Sequence, residues 1–410
     1  MKARASHTTG GSPLIVGIDA RHLRDFGIGT YIRNLLSEIA AADPNIEYRV
    51  IHSPGDRELL AALPGNFQLF AYPHQDGERL DHFRFPWFLR SLHVDLTHIP
   101  LNRVPLFMPR PYVVTVHDIS NLLFEPGEGL LPQLRRARIK RGLARAARVI
   151  AVSSATRRDV VQTLAIHEER VHLIYNALDP NFLQPRPMIN ARAAGPDAET
   201  FERRRILERY QIHYPYLLYV GQIRPQKNIP RLVEAFAVVR NQLKDHPDFR
   251  DLRLIVIGDQ ISKYPAVRRA VIESRVEDAV RFLGFVPFDT LRIFYEKAEA
   301  FVFPSLYEGF GLAPLEAMAC GAPVVTSAAS SLPEVVADSA VLVNPENVFD
   351  IARGILDTLL DAPLRARLVA KGRERARYFS WREAARRVVQ VYRLAAGGLT
   401  AADAPDPEND

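Results

Sequence analysis

One cysteine, Cys320, stands among 410 residues. No intrachain disulfide can form, an oxidising compartment offers this sequence nothing, and a reducing cytoplasm is the expected setting. No apolar run approaches the roughly 20 residues that a membrane-crossing helix needs, which excludes an integral membrane protein of the helical kind. The first dozen residues carry Lys2 and Arg4 but no apolar stretch behind them, so residues 1–12 are expected to be disordered rather than a signal peptide. No unit of about 20 to 50 residues repeats, which argues against a solenoid. Metal-binding spacing is lacking too: His82, His93 and His98 are scattered and no Asp-x-Asp stands at a strand end, so the pattern asks for no bound cation.

What is there is a globular composition, 47% apolar and 24% charged, in a chain long enough for two domains of under about 200 residues each. The formal charge is +6, and the last fifteen residues hold four acids and no bases, so the rest of the chain is more basic still. A basic body attracts polyanions, which leaves nucleic acid, an anionic membrane surface and a phosphorylated substrate as partner classes.

Short apolar runs ending in polar or proline loops recur along the first half: "PLIVGIDARHL", "YRVIHSP", "VDLTHIP", "YVVTVHDIS" and "RVIAVSS". Helical stretches separate several of them; in "FGIGTYIRNLLSEIAAA" Tyr31, Leu35 and Ile39 recur at helical spacing. Strand, loop and helix in alternation predict a parallel sheet covered by helices. The pattern lapses from Gln184 to about Tyr210 and restarts in "YLLYVGQI", "LRLIVIGD", "VRFLGFV", "AFVFPS", "APVVTS" and "AVLVNP". The fold class is therefore α/β, with two Rossmann-like domains whose parallel sheets face one another across a cleft. The first is expected over 13–185, a linker over 186–209, and the second over 210–395, ending in a helix begun by Ser380 and Glu383; a disordered acidic tail over 396–410 completes the division.

The stretch "AFVFPSLYEGFGLAPLEAMACG" reads as strand, bend and helix, with Gly309 and Gly311 in the bend and Pro314 suited to a first helical turn. The amides of Phe310, Gly311 and Leu312 then aim at whatever lies over the helix start, which favours an anion such as a diphosphate. Glu308 precedes the bend and Glu316 sits in the helix. Carboxylates beside a phosphate site make sense if they grip hydroxyls, each charge-assisted bond contributing roughly 1.5 to 3 kcal/mol. A nucleotide sugar offers hydroxyls at both ends and a diphosphate between them. The plain alternative is a loop cap at Glu308 and a solvated helix face at Glu316.

In "YVGQIRPQKNIPRLVEAF" a strand ends at Gly221, and Arg224, Lys227 and Asn228 follow before a helix. They project from the carboxyl end of a strand, where ligands bind in open parallel sheets, and the two cations could neutralise a leaving diphosphate. Surface charge around a turn is the alternative. Gly27 and Gly29 in "FGIGTY" either let the backbone approach a ligand or serve a turn, and His117 at a strand end is either a ligand contact or a capped loop residue.

Taken in order, "GIGTY", "VHD", "VIAVSSATRRDV", "IYNALDP", "YVGQIRPQKN" and "EGFGLAPLE", with its two glutamates separated by seven residues, resemble retaining glycosyltransferases of the GT-B fold. The nearest group is family four, which includes many bacterial mannosyltransferases of lipopolysaccharide and capsule assembly. The likeness spans roughly residues 14–392. It implies an acceptor-side first domain and a second domain that binds the nucleotide sugar. It further implies that Glu316 holds the ribose hydroxyls, while Glu308 and the amides of Gly309, Phe310 and Gly311, next to Leu312, hold the donor hexose. Arg224 and Lys227 would steady the pyrophosphate from the loop of Gly221 and Asn228, Gly27 and Gly29 would offer amides near the phosphates, and His117 would touch the donor sugar. Members of the family often carry arginine directly after the glycine or before the lysine; Gln222 and Gln226 stand there in this chain, and Arg224 is expected to take over. By the same resemblance the donor is a substrate rather than a cofactor, GDP-mannose is favoured, no metal is required, and transfer retains configuration without a covalent glycosyl-enzyme. The acceptor would be lipid-linked or an oligosaccharide in O-antigen or capsule synthesis.

The run "LLPQLRRARIKRGLARAARV" gathers Arg135, Arg136, Arg138, Lys140, Arg141, Arg145 and Arg148, which predicts a basic amphipathic helix over 135–148. It is either a peripheral contact with the anionic inner face of the cytoplasmic membrane or a solvated face. Phe83, Phe85, Trp87 and Phe88 of "FRFPWFLRSL" either present aromatics to lipid or pack in the core, and the core is the expectation. Charge alone also suggests a nucleic-acid-binding module, but no aromatics interleave the basic run. A nucleotide-sugar epimerase or a sugar phosphorylase of the same architecture is the remaining alternative.

Overall fold

The computed structural model describes residues 13–25, 27–74, 78, 80–124, 130–184, 196–258 and 264–397. Residues 1–12, part of the expected linker and the tail beyond 397 lie outside the described residues. The chain divides into two compact units, the first built from the chain up to Asn176 and again from Trp381 onward, the second chiefly from Ala177–Ser380.

Seven parallel strands make the sheet of the first unit: β1 (Leu14–Asp19), β2 (Ile46–His52), β3 (Phe67–Ala71), β4 (Leu96–Ile99), β5 (Tyr112–Val116), β6 (Arg148–Ala151) and β7 (Val171–Leu173). Their order is β3-β2-β1-β4-β5-β6-β7, and the direction of winding reverses between β1 and β4. Helices cover both faces, so the central strands are apolar throughout; every residue of β5 is buried. In register, Val16 lies opposite Tyr48 on one side and Leu96 on the other.

The helix Trp381–Ala395 places Trp381, Ala384, Ala385, Val388, Val391 and Tyr392 at helical spacing, and that face is buried. It packs against the helix Ile28–Ala42, with Trp381 edge-on to Tyr31 at 5.7 Å, and Arg393 pairs with Asp43. The sequence counted this helix with residues 210–395; it belongs instead to the first unit. Amphipathic spacing announces a buried face without saying which sheet buries it.

Six parallel strands form the second sheet: β8 (Tyr216–Val220), β9 (Arg253–Ile257), β10 (Val280–Gly284), β11 (Ala300–Phe303), β12 (Val324–Ser327) and β13 (Val341–Val343), in the order β10-β9-β8-β11-β12-β13. The helix Ile229–Gln242 turns Ile229, Leu232, Val233, Phe236 and Val239 inward. This unit begins earlier than the sequence suggested. Phe182 packs on Phe288 at 4.7 Å, and Arg292 donates to the carbonyls of Asn181 and Gln184.

Two further expectations change. The basic helix spans Leu130–Arg145, and Arg148 opens β6 rather than ending the helix, because the two residues before it break the helical run. Of the aromatics expected in the core, Phe85 is fully buried, but Phe83 and Trp87 face water. Among the described residues no helix is long and apolar enough to cross a membrane.

Candidate functional site

In an open parallel sheet the strand order reverses at one place, and the loops leaving the strands there diverge to leave room for a ligand. In the second unit that place lies between β8 and β11, and the two motifs singled out in the sequence are the loops that leave those strands.

After β8, Gly221 takes a φ of 152°, which a side chain would disfavour. Its amide donates to the Ile257 carbonyl at 2.9 Å, so it shapes the loop and has no N–H left for a ligand. The guanidinium of Arg224 has no partner among the described residues. Gln226 is buried, and its backbone carbonyl accepts from the Leu306 amide at 2.8 Å. Asn228, at a φ of 59°, donates to the carbonyls of Pro304 (3.0 Å) and Pro345 (2.7 Å) and accepts from Arg231 (3.1 Å). Expected as a binding residue, Asn228 is fully engaged in fastening the β8 loop to the loops after β11 and β13.

Lys227 Nζ donates to both oxygens of Glu308, at 2.6 and 2.8 Å, and lies 5.2 Å from the centre of the Phe303 ring. Their side chains are 17% and 11% exposed, so the pair is shielded yet still open at one side. The cation expected at the diphosphate and the acid expected at the sugar are thus brought together across the strand reversal, each held in place by the other.

The loop from Glu308 to Gly311 is clamped from the segment after β12. Ser330 Oγ donates to the Glu308 carbonyl at 2.6 Å, and Ser331 Oγ to the Phe310 carbonyl at 2.8 Å. Neither serine stands out in the sequence, where the signal is no more than a pair of small hydroxyl residues ahead of Leu332-Pro333. Gly309 is buried. Phe310 is buried edge-on against Phe379 at 5.2 Å, so its side chain anchors the loop. Gly311 has a φ of 108°, and a Cβ there would stand 2.8 Å from Leu332 Cδ2. It caps the helix Leu312–Ala319, which has no side-chain cap and carries Pro314 in its first turn. Leu312 opens that helix, as expected.

Glu316 accepts a hydrogen bond from the Tyr295 hydroxyl at 2.9 Å. Burial pushes its carboxyl up to about 7; the Tyr295 bond pulls it partly back, and the nearby charge of Asp179 adds to the rise. A file of rings joins the two acids: Tyr219 stacks on Phe303 (5.5 Å), Phe303 on Phe301 (5.7 Å), and Phe301 meets Tyr295 edge-on (5.4 Å). The charge of Glu308 is felt at Tyr219 and that of Glu316 at Tyr295. Tyr219, Tyr295 and Asp179, none of which stood out in the sequence, lie beside these two candidate acids.

The remaining candidates lie in the first unit. Gly27, at a φ of 73°, opens onto free space at the start of the helix Ile28–Ala42. Gly29 corrects the sequence reading. Its amide already donates to the Asp25 backbone carbonyl at 2.9 Å, and a Cβ would fall 2.4 Å from the Leu23 carbonyl oxygen, so the glycine serves a close turn rather than a phosphate. His117 follows β5 and lies edge-on to Tyr31 at 4.8 Å. Burial pushes its imidazole down to about 4, with Asp118 and a hydrogen bond to the Pro100 carbonyl opposing the fall, and its Nε2 is buried with no partner among the described residues. Beside it His98 joins Tyr392 Oη at Nδ1 (2.7 Å) and Thr115 Oγ1 at Nε2 (2.8 Å), and Tyr31 reaches the same Thr115 hydroxyl.

A family model described as glycosyl transferases group 1 matches residues 203–375, and one described as glycosyltransferase family 4 matches residues 27–182. The O-antigen chain mannosyltransferase B of Escherichia coli is 27% identical over 90% of this chain and 96% of its own length. The serotype-specific mannosyltransferase WbdA of Escherichia coli is 29% identical over 60% of this chain, and the match spans only 29% of that longer relative. The crystal structure of Anabaena HepE in complex with UDP-glucose superposes with a TM-score of 0.70 over 92% of this chain and 99% of that one, at 18% identity, which speaks for the fold. With a Rossmann-like sheet in each unit and one of these models on each half, the chain belongs to the family-four type of glycosyltransferases with the GT-B fold.

Proposed function

We propose that this glycosyltransferase takes a hexose, mannose first, from a nucleoside diphosphate sugar, GDP-mannose first, and passes it with retention to a lipid-linked or oligosaccharide acceptor in O-antigen or capsule synthesis. The observation that carries the reading is the grouping at the β8/β11 reversal: the Lys227–Glu308 pair, Arg224, which has no side-chain partner among the described residues, and the partly buried Glu316. The activity of the two mannosyltransferase relatives supports the choice of hexose.

In this reading the donor diphosphate draws Lys227 away from Glu308, which frees the Glu308 carboxylate for sugar hydroxyls. As the bond from the anomeric carbon to the diphosphate breaks, negative charge grows on the leaving oxygen, and Arg224, Lys227 and the first-turn amides of Leu312–Ala319 stabilise it. One such contact contributes about 3 to 4 kcal/mol at the transition state. The acceptor hydroxyl attacks the same face; its oxygen forms the new bond, and its proton passes to a diphosphate oxygen. His117, neutral at pH 7, would hydrogen-bond the donor sugar rather than carry charge. No metal enters the proposal. The reaction is placed in the cytoplasm or on the inner face of the cytoplasmic membrane, where nucleotide sugars are made.

The test is a thermal-shift screen of GDP-mannose, UDP-glucose and ADP-glucose on the native protein and on Glu316→Gln. Glutamine keeps an oxygen for Tyr295 and so spares the fold. A ligand at 100 times its Kd adds about 2.7 kcal/mol of stability. GDP-mannose should raise the melting temperature of the native protein clearly more than that of the variant, which binds the donor more weakly. An equal response in both would remove Glu316 from the site, and silence to every nucleotide sugar would remove the reading. Product analysis separates the other chemistries: an epimerase alters the donor without an acceptor, a phosphorylase needs phosphate, and the anomeric configuration of the product decides retention.

A further inference from the structure

A carboxylate that is to grip hydroxyls needs an open oxygen, a fixed orientation and its charge. Glu316 sits on the helix Leu312–Ala319 and keeps part of its surface open to solvent. Its two oxygens differ. Oε2 accepts from the Tyr295 hydroxyl at 2.9 Å, and the described residues offer Oε1 no partner.

Tyr295 comes from the helix Phe288–Lys297 and is fully buried. Its ring lies edge-on to Phe301 at 5.4 Å and to Phe182 at 6.2 Å, so packing from two sides fixes where the hydroxyl points. Burial and the charge of Glu316 hold that hydroxyl well above its usual range, so it keeps its proton and donates. A bond donated to a carboxylate favours the charged form.

Asp179 works in the opposite sense. It caps the helix Pro180–Leu183 by accepting from the Asn181 amide, that helix packs against Leu312–Ala319, and the charge of Asp179 disfavours a second one on Glu316. The other groups at hand are silent. Cys320, one turn beyond Glu316, is kept neutral by burial, which pushes its thiol up to about 12. Near it Glu296 pairs with Arg203, and Arg292 donates to the carbonyls of Asn181 and Gln184. Ala362–Tyr378 and Leu332–Val336 also pack on the Glu316 helix, and neither Arg373 of the first nor Glu334 of the second is felt at Glu316.

We propose that Tyr295 is the positioning residue of this acid: its hydroxyl takes up Oε2, holds the carboxylate in one orientation and leaves Oε1 to the donor's hydroxyls, with Asp179 as the opposing neighbour. This rests on the reading of Glu316 as a donor contact. The first test uses no donor, so the two can fail separately.

Tyr295→Phe keeps the ring in its packing and deletes the bond, and Asp179→Asn keeps a capping oxygen and deletes the charge. Urea unfolding without donor is followed between about pH 5 and 9 for the native protein, for each variant, and for each of the three with Glu316→Gln added. Subtracting the glutamine counterpart isolates Glu316, whose contribution falls as pH rises and levels off once the folded carboxyl is ionised, at about 7 in the native protein. That bend should move up by about one pH unit in Tyr295→Phe and down by about half a unit in Asp179→Asn.

The second test is calorimetry with GDP-mannose. Tyr295→Phe should bind roughly fivefold more weakly than the native protein at pH 7 and close to native at pH 9, where the carboxyl is ionised in both. Asp179→Asn should bind roughly two- to threefold more tightly at pH 6. An unmoved bend in Tyr295→Phe would overturn the proposal, and so would a loss of equal size at pH 7 and pH 9, the mark of a purely structural role. A native protein that ignores GDP-mannose would count against the donor reading instead, and the bends would still decide whether Tyr295 sets Glu316.

Discussion

Burial decides what Glu316 can do. A carboxyl near 7 is about half protonated at neutral pH, and a protonated carboxyl loses the charge that makes hydroxyl binding strong. Donor affinity, measured by calorimetry between about pH 6 and 8, should therefore fall as pH drops below 7, approaching tenfold per unit, and Glu316→Gln should flatten that dependence. The linkage to stability has the opposite sense. The folded state keeps a proton on Glu316 that the unfolded chain releases at about 4.5, so this group's contribution shrinks as pH rises from 4.5 through 7. His98 and His117 behave in reverse: burial lowers them to about 3 and about 4 from 6.5, the unfolded chain binds more protons below 6.5, and stability is lost as pH falls from there toward 4. Melting followed at pH 7 and pH 5 should show the first unit weakening in acid, and His98→Gln should reduce the pH slope. The Lys227–Glu308 pair calls for a double-mutant cycle. Lys227→Met leaves a shielded acid without its cation, Glu308→Gln the converse, and chemical denaturation should return a coupling of about 0.5 to 3 kcal/mol without donor.

At the scale of elements, the alternation of strand and helix was legible because parallel strands buried on both faces must be apolar runs, and "YVVTV" is buried from end to end. The site loops were legible for a related reason. Gly221 and Gly311 adopt backbone that other residues resist, so they stand out in the sequence, and both lie at the β8/β11 reversal. What could not be read is which partner each side chain takes. Asn228 looked like a ligand contact because it follows a strand end, yet two proline carbonyls far away in sequence claim its amide group. Gly29 looked like an approach to phosphate, yet the Leu23 carbonyl already fills the space. Phe83 and Trp87 share a helix with Phe85, and a short run of aromatics does not say which of its members lie on the buried face. Tyr392→Phe tests one such long-range contact. It removes the hydroxyl from His98 Nδ1 and leaves a buried imidazole nitrogen unpaired, which should cost about 1 to 3 kcal/mol in chemical denaturation without touching any group assigned to the donor.

For the molecule as a whole, the chain leaves the first unit at Asn176 and returns to it at Trp381, so the first unit is discontinuous while the second is nearly continuous. The returning helix buries Trp381, Val388, Val389, Val391, Tyr392 and Leu394. At roughly 1.5 to 3 kcal/mol per large apolar side chain, that amounts to on the order of 10 kcal/mol, as much as the net stability of an ordinary domain. Residues 1–176 alone should therefore fail to melt cooperatively by circular dichroism, and a peptide of residues 381–397 added in excess should restore the transition. Residues 177–380 alone should melt cooperatively, because they keep their whole sheet. Arg224, Lys227, Glu308 and Glu316 all lie in that fragment, so it should also retain the thermal shift with the donor that stabilises the full chain. A cooperative first fragment without the peptide would mean that the returning helix only decorates a fold already complete. A second fragment that folds yet ignores the donor would mean that the nucleotide sugar needs groups beyond the β8/β11 reversal, with His117 the first to substitute.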